Sequence, residues 1–146
     1  MARFFTVGQA EQLLPEVETA IREAIAAKAD YAEAESDSQE FQRRVMLQGG
    51  IIVDHAKLLE RKQRRASSAR HLKEAVEKIQ EYGCLVKDLD IGLIDFPTLF
   101  NGEEVYLCWK LGETGIRFWH GVQEGFRGRK AIDQEFLDHH QGDLPN

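Results

Sequence analysis

The sequence predicts an α+β fold: a long antiparallel helical hairpin, coiled-coil-like, followed by a small antiparallel β-meander and a short C-terminal helix. Three observations carry this. Residues 6–82 hold one proline, Pro15, and three glycines, Gly8, Gly49 and Gly50, among Ala, Glu, Arg, Leu and Gln, a composition that favours helix. From Gly83 onward Val, Ile, Phe, Tyr and Trp dominate, punctuated by Gly and Pro, which is strand composition. Helices first and strands afterwards exclude an alternating βαβ order. Finally, residues 30–40 carry five acids and no base, and residues 61–73 carry six bases and no acid, so two antiparallel arms can lay one tract against the other.

The elements follow in order. Thr6 suits a helix N-cap, with Phe5 before it as a staple against Ala10 or Leu13. A short first helix runs to Leu14, and Pro15 fits the first turn of a new or continuing helix. Apolar residues at Leu14, Val17, Ile21, Ala24, Ile25, Tyr31 and Ala32 mark one helix face. A second series, Ile52, Leu59, Ala66, Ala69, Leu72, Val76 and Ile79, repeats near every 3.5 residues. The turn between the arms falls at Ser36-Asp37-Ser38 or at Gly49-Gly50. The glycines are favoured, because they give arms of matched length, 15–48 and 51–82, and place Asp37 opposite Lys62 and Glu35 opposite Arg64. Gly83 stops the second arm. The sheet then reads as Leu85–Leu89, Leu93 to Phe96 or Phe100, Glu103–Lys110 and Ile116–His120, three or four strands, with Asn101-Gly102 as a hairpin turn. After Gly121 a loop-like stretch precedes a short helix carrying Ile132, Phe136 and Leu137, and Asp138-His139-His140 reads as a tail. The 146 residues thus form one domain, with 6–82 as hairpin, 83–121 as sheet and 122–146 as loop, short helix and tail.

Charge and motif content narrow the function. Nineteen basic against 25 acidic residues give a net charge of −6, which argues against a nucleic-acid binder resting on Lys and Arg. The longest aliphatic run, Ile51-Ile52-Val53, is far too short to span a bilayer. Two cysteines make no disulfide framework, and a reducing cytoplasm is the expected setting. No nucleophile elbow, zincin, CxxC or phosphate-loop motif occurs.

Three stretches hold ligand-capable residues. KDLDIGLIDFP brings Asp88, Asp90 and Asp95, candidates for cation or anion chemistry that compete with a simple turn-capping role. VYLCWKLGETGIRFWH brings Cys108 and His120. If Cys108 pairs with Phe118, then Tyr106, Cys108, Phe118 and His120 share a face; if it pairs with Arg117, His120 turns away. GFRGRK offers Arg127 and Arg129 to an anion, or forms a solvated basic turn. Asp95, Cys108 and His120 are therefore candidate ligands of a divalent metal, and Asp88, Asp90, Arg127 and Arg129 candidate anion- or ligand-binding residues.

The strings RFFTVGQAEQLLP, GCLVKDLDIGLIDFP, EVYLCWKLGE, FWH and GFRGR, in this order, resemble the uncharacterised bacterial domain-of-unknown-function family 2203 from Phe4 to about Lys130. The resemblance implies a small bacterial cytoplasmic protein and brings no activity with it. Two functions are then expected: an interaction or assembly protein that forms a homodimer through the hairpin, or a metal- or small-anion-binding protein, a hydrolase or lyase for example, with a site around Asp95, His120 and Arg127.

Overall fold

The computed structural model describes residues 3–49 and 54–143. It is an α+β fold in which two long helices precede an antiparallel sheet and a short third helix. Helix α1 spans Val7–Leu47 and contains Pro15. The first short helix and the first arm are thus one continuous helix. Thr6 caps it in a full capping box: its hydroxyl accepts from Gln9 N at 3.1 Å, and its own N–H donates to Gln9 Oε1 at 3.0 Å. Gly49, at φ 77°, follows the helix end; Gly50 and Ile51–Val53 lie outside the described residues. Helix α2 spans His55–Glu81, with Asp54 as its N-cap. Gly83, at φ 96°, ends it, because a left-handed residue cannot continue the helix.

The charge tracts do face each other, in a shifted pairing. Asp37 meets Arg61 at 3.2 Å and Arg64 at 4.0 Å, and Glu33 meets Arg64 at 3.6 Å, where Asp37–Lys62 and Glu35–Arg64 were expected. One residue is 100° of helix rotation, so Lys62 turns with Arg65 to the flank of α2 beside Tyr31 and Gln42. The same rotation corrects the apolar series on α2. Leu59, Ala66 and Ala69 stay exposed, while Leu58, Leu72, Ala75, Val76 and Ile79 are apolar positions that are covered; Ile52 lies outside the described residues.

The sheet contains β1 (Leu85–Asp88), β2 (Leu93–Phe100), β3 (Glu103–Lys110), β4 (Phe118–Gly121), β5 (Lys130–Ala131) and β6 (His140–Gln141), in the order β1-β2-β3-β4-β5, with β6 beside β2. Asn101 and Gly102, both at positive φ, make the β2–β3 turn as expected. Six strands among the described residues replace the expected three or four, because β5 and β6 are two-residue pairings without readable periodicity. Strand β4 starts at Phe118; Ile116 is buried but unpaired. The loop-like GFRGR includes a 3-10 turn, Phe126–Gly128. Helix α3 spans Gln134–His139 and buries Phe136, leaving Ile132 before it.

One face of the sheet joins the core. Ile94, Phe96, Leu107 and Trp109 cluster with Ala10, Val17, Ala20, Ile21 and Ala24 of α1, with Ile79 of α2 and with Phe136 of α3. Alanines on α1 leave room for the bulk of Trp109 and Phe96. Each large side chain buried here contributes roughly 1.5 to 3 kcal/mol. Phe5 packs edge-on against Phe96 at 5.4 Å, and its N–H donates to Pro97 O at 2.7 Å. A strand residue sends its nitrogen and carbonyl to the same side, so the missing N–H of Pro97 faces Phe5 and costs the β2–β3 ladder nothing. Asp138 and His139, expected in a tail, close α3, and His140 opens β6. His140 Nε2 accepts from Val7 N at 3.0 Å while its Nδ1 donates to Leu137 O at 2.8 Å, and Asp143 N donates to Phe4 O at 2.8 Å.

Candidate metal centre

Strand alternation sends Asp95, Cys108 and His120 to the face opposite the helices. The register sets which of them meet. Asp95 lies opposite Cys108, Cys108 opposite Phe118, and Tyr106 opposite His120. Of the two hairpin registers open to the sequence, this is the one that puts His120 on the Cys108 face. The β3–β4 loop is pinned by Glu113. Its carboxylate accepts from Lys110 N at 2.7 Å, and its carbonyl accepts from the Trp109 indole at 3.1 Å. Arg129 clamps the same carboxylate at 2.7 and 2.9 Å and donates to Cys108 O at 3.2 Å, while its guanidinium stacks on Phe118 and Phe126.

The oxygen, sulfur and nitrogen donors of Asp95, Cys108 and His120 all lie within 4.8 Å of one another, in fully buried side chains (His120 is 3 % exposed). His120 Nδ1 is 2.8 Å from Gly121 O. A carbonyl only accepts, so Nδ1 carries a proton, and Nε2 faces the Asp95 carboxyl. Nε2 stands 3.1 Å from Oδ1 and 3.0 Å from Oδ2. Only Oδ1 is in line for a hydrogen bond; Oδ2 is buried without a partner among the described residues. Burial holds the Asp95 carboxyl above its ordinary range, against the opposing pull of His120, Cys108 and Lys87. Burial, with Asp95 second, pushes the Cys108 thiol up to about 12. A cation would offset the burial that disfavours the carboxylate and the thiolate here, and Nε2 of His120 completes the donor set.

The other candidates lie apart. Asp88 Oδ1 accepts from Asp90 N at 3.0 Å, the turn-capping role, and Asp90 pairs with Lys28. Arg127 is exposed in the 3-10 turn. Arg129 is spent on Glu113 and holds the centre only through the Cys108 carbonyl. The neighbours that sequence reasoning undervalued are Tyr106, whose ring stands edge-on to His120 at 5.6 Å, and Lys87, whose ammonium lies 5.0 Å over the Tyr106 ring. Cys84 is a buried core thiol, pushed up to about 12 by desolvation, and both cysteines are free.

A family model described as "Uncharacterized conserved protein (DUF2203)" matches residues 3–132. The chain belongs to that family. The matched stretch of this DUF2203 chain includes all three donors, Lys87 and Arg129, and ends before α3 and β6. No curated protein and no solved structure matched. Among the described residues no helix is long and apolar enough to cross a membrane.

Proposed function

We propose that this DUF2203 chain is a metal-binding protein that holds a zinc-class divalent ion on Asp95, Cys108 and His120. The observation that carries the reading is the convergence of three different buried donors, one of them with an unpartnered oxygen, on adjacent strands. Oxygen, nitrogen and sulfur donors in one set suit Zn²⁺ rather than Mg²⁺ or Ca²⁺, which take oxygen alone. Tetrahedral donors sit about 3.3 to 3.8 Å apart, so the side chains need only small adjustments. A free thiolate ligand also fits a reducing compartment, the setting the sequence predicts. The test is metal analysis of protein purified without chelator, followed by zinc titration. One equivalent is expected. Cys108→Ser and His120→Ala should each weaken binding by more than about a hundredfold, beyond the cost of losing an outer-shell partner. Wild-type affinity in both variants would sink the reading.

A second reading, assembly through the hairpin, rests on the far end of the arms. Met46, Leu47 and Leu59 are 79 %, 73 % and 56 % exposed; Ile51–Val53 lie outside the described residues. A homodimer that packs two hairpins coiled-coil fashion would cover this end, as exposed apolar patches usually mark interfaces. Sedimentation equilibrium at micromolar concentration should give twice 16.7 kDa, falling to the monomer mass in Met46→Glu/Leu47→Glu. A wild-type monomer would end this reading and leave the metal reading intact.

A further inference from the structure

Strand β1 carries an irregularity next to the centre. Val86 lies opposite Ile94 and Asp88 opposite Leu93, so Lys87 is the extra residue of a β-bulge. Bulges re-aim side chains and gather beside functional sites. Here the bulge lets an exposed lysine lie over Tyr106, the ring that stands against His120. Lys87 forms no ion pair among the described residues, although Asp88 adjoins it in the chain. The nearby acid on β3, Glu104, is held at 3.3 Å by the Tyr106 hydroxyl. The charge of Lys87 reaches Asp95.

Three protein donors leave one position on a tetrahedral ion, the arrangement of an exchangeable site. One carboxylate, one thiolate and a neutral imidazole cancel a divalent charge, so the loaded centre is itself neutral and an anion at the fourth position needs a further positive charge beside it. We propose that the fourth position takes a small anion from solvent, an inorganic anion or the carboxylate of a small acid, and that Lys87 is the residue that positions it. This inference rests on the metal reading above. Size follows from burial: Tyr106 is 9 % exposed and the three donors less, so only a small ligand fits past the ring. Charge follows from Lys87, the cation that balances the extra negative charge. Arg129, the other nearby cation, is committed to Glu113.

The probes are Co²⁺ in place of the native ion and thiocyanate as the anion. The visible bands of the Co²⁺-loaded full chain should shift saturably with thiocyanate. Lys87→Met should weaken thiocyanate by about fivefold, the scale of one charge several ångströms away near a protein surface, with Co²⁺ bound no more weakly than in wild type, since the lost charge opposed the cation. Lys87→Arg should restore it to within about twofold, since the charge is kept. Bands indifferent to thiocyanate, or Lys87→Met with wild-type thiocyanate affinity, would overturn the proposal while leaving the metal centre standing. Failure to bind Co²⁺ at all would overturn both.

Discussion

Asp95→Asn is expected to abolish metal binding and to stabilise the metal-free protein by about 1 to 2 kcal/mol near pH 8, the size of gain that removing a functional strain commonly brings. The side chain is fully buried and one oxygen lacks a partner. Desolvation raises its folded-state pKa above the unfolded value, with His120, Cys108 and Lys87 opposing. Over the interval between the two values the unfolded chain binds fewer protons than the folded one. Stability therefore falls as pH rises from the ordinary carboxylate range through the raised folded value, and is level above it. Asparagine carries no such proton. Its amide N–H can donate to a neutral His120 Nε2 in nearly the same shape, so the cost of burying a charge disappears and the hydrogen bond stays. Urea denaturation in the presence of chelator, at pH 5 and pH 8, measures this. The advantage of the variant should be larger at pH 8. A variant less stable than wild type at pH 8 would mean that Asp95 is ionised and held by an imidazolium. A variant that still binds zinc would remove Asp95 from the centre.

What was legible in the sequence was what local chemistry decides. Thr6 ahead of a helical run, Gly83 after one, and Asn101-Gly102 between two strand-like runs each act within a few residues, and each does what its chemistry dictates. The hairpin was legible for another reason: opposed charge tracts constrain two arms to within a turn of helix. They do not fix rotation, because each exposed pair is worth only about 0 to 1 kcal/mol and long side chains reach more than one partner. Hence Asp37 finds Arg61 and Arg64 in place of Lys62. At the centre, composition pointed to Asp95, Cys108 and His120, while their meeting depended on a register the strands alone left open. That register is pinned by Glu113, and Glu113 is held by Arg129 from a segment beyond β4. A motif search valued Arg129 for its charge, whereas packing uses it as a clamp. Lys87 was illegible because a bulge breaks the alternation by which residues are assigned to faces. The ordered stretch 140–143 was illegible because its partners lie at the other end of the chain: His140 bonds Val7, 133 residues away.

That closure at 140–143 gives the second large effect. Gly142→Ala should destabilise the protein by about 2 to 3 kcal/mol, the upper range for overpacking a tight site. A Cβ there would stand 2.5 Å from Thr6 N, 2.6 Å from Gln9 Oε1 and 2.7 Å from Phe5 C. Two of these are backbone atoms and the third belongs to the capping box, so none can swing aside freely. Either the cap of α1 distorts or residues 140–143 leave the sheet. In the second case the protein loses Asp143 N to Phe4 O, Gln9 Nε2 to Asp143 O, Thr98 Oγ1 to Gln141 O and Val7 N to His140 Nε2. Each is worth about 0.5 to 1.5 kcal/mol, and more where a buried group is left unpaired. Gly8→Ala is the control, since its Cβ meets only Thr6 Oγ1 at 3.9 Å and sits inside helix α1; it should stabilise by up to about 1 kcal/mol. Groups that act as one unit are not additive. His140→Ala should therefore cost clearly less in the Gly142→Ala background than in wild type. Urea melts of the four proteins decide it. Full additivity would show that the closure is no single unit, and a Gly142→Ala protein as stable as wild type would show that the contact with Thr6 yields without cost.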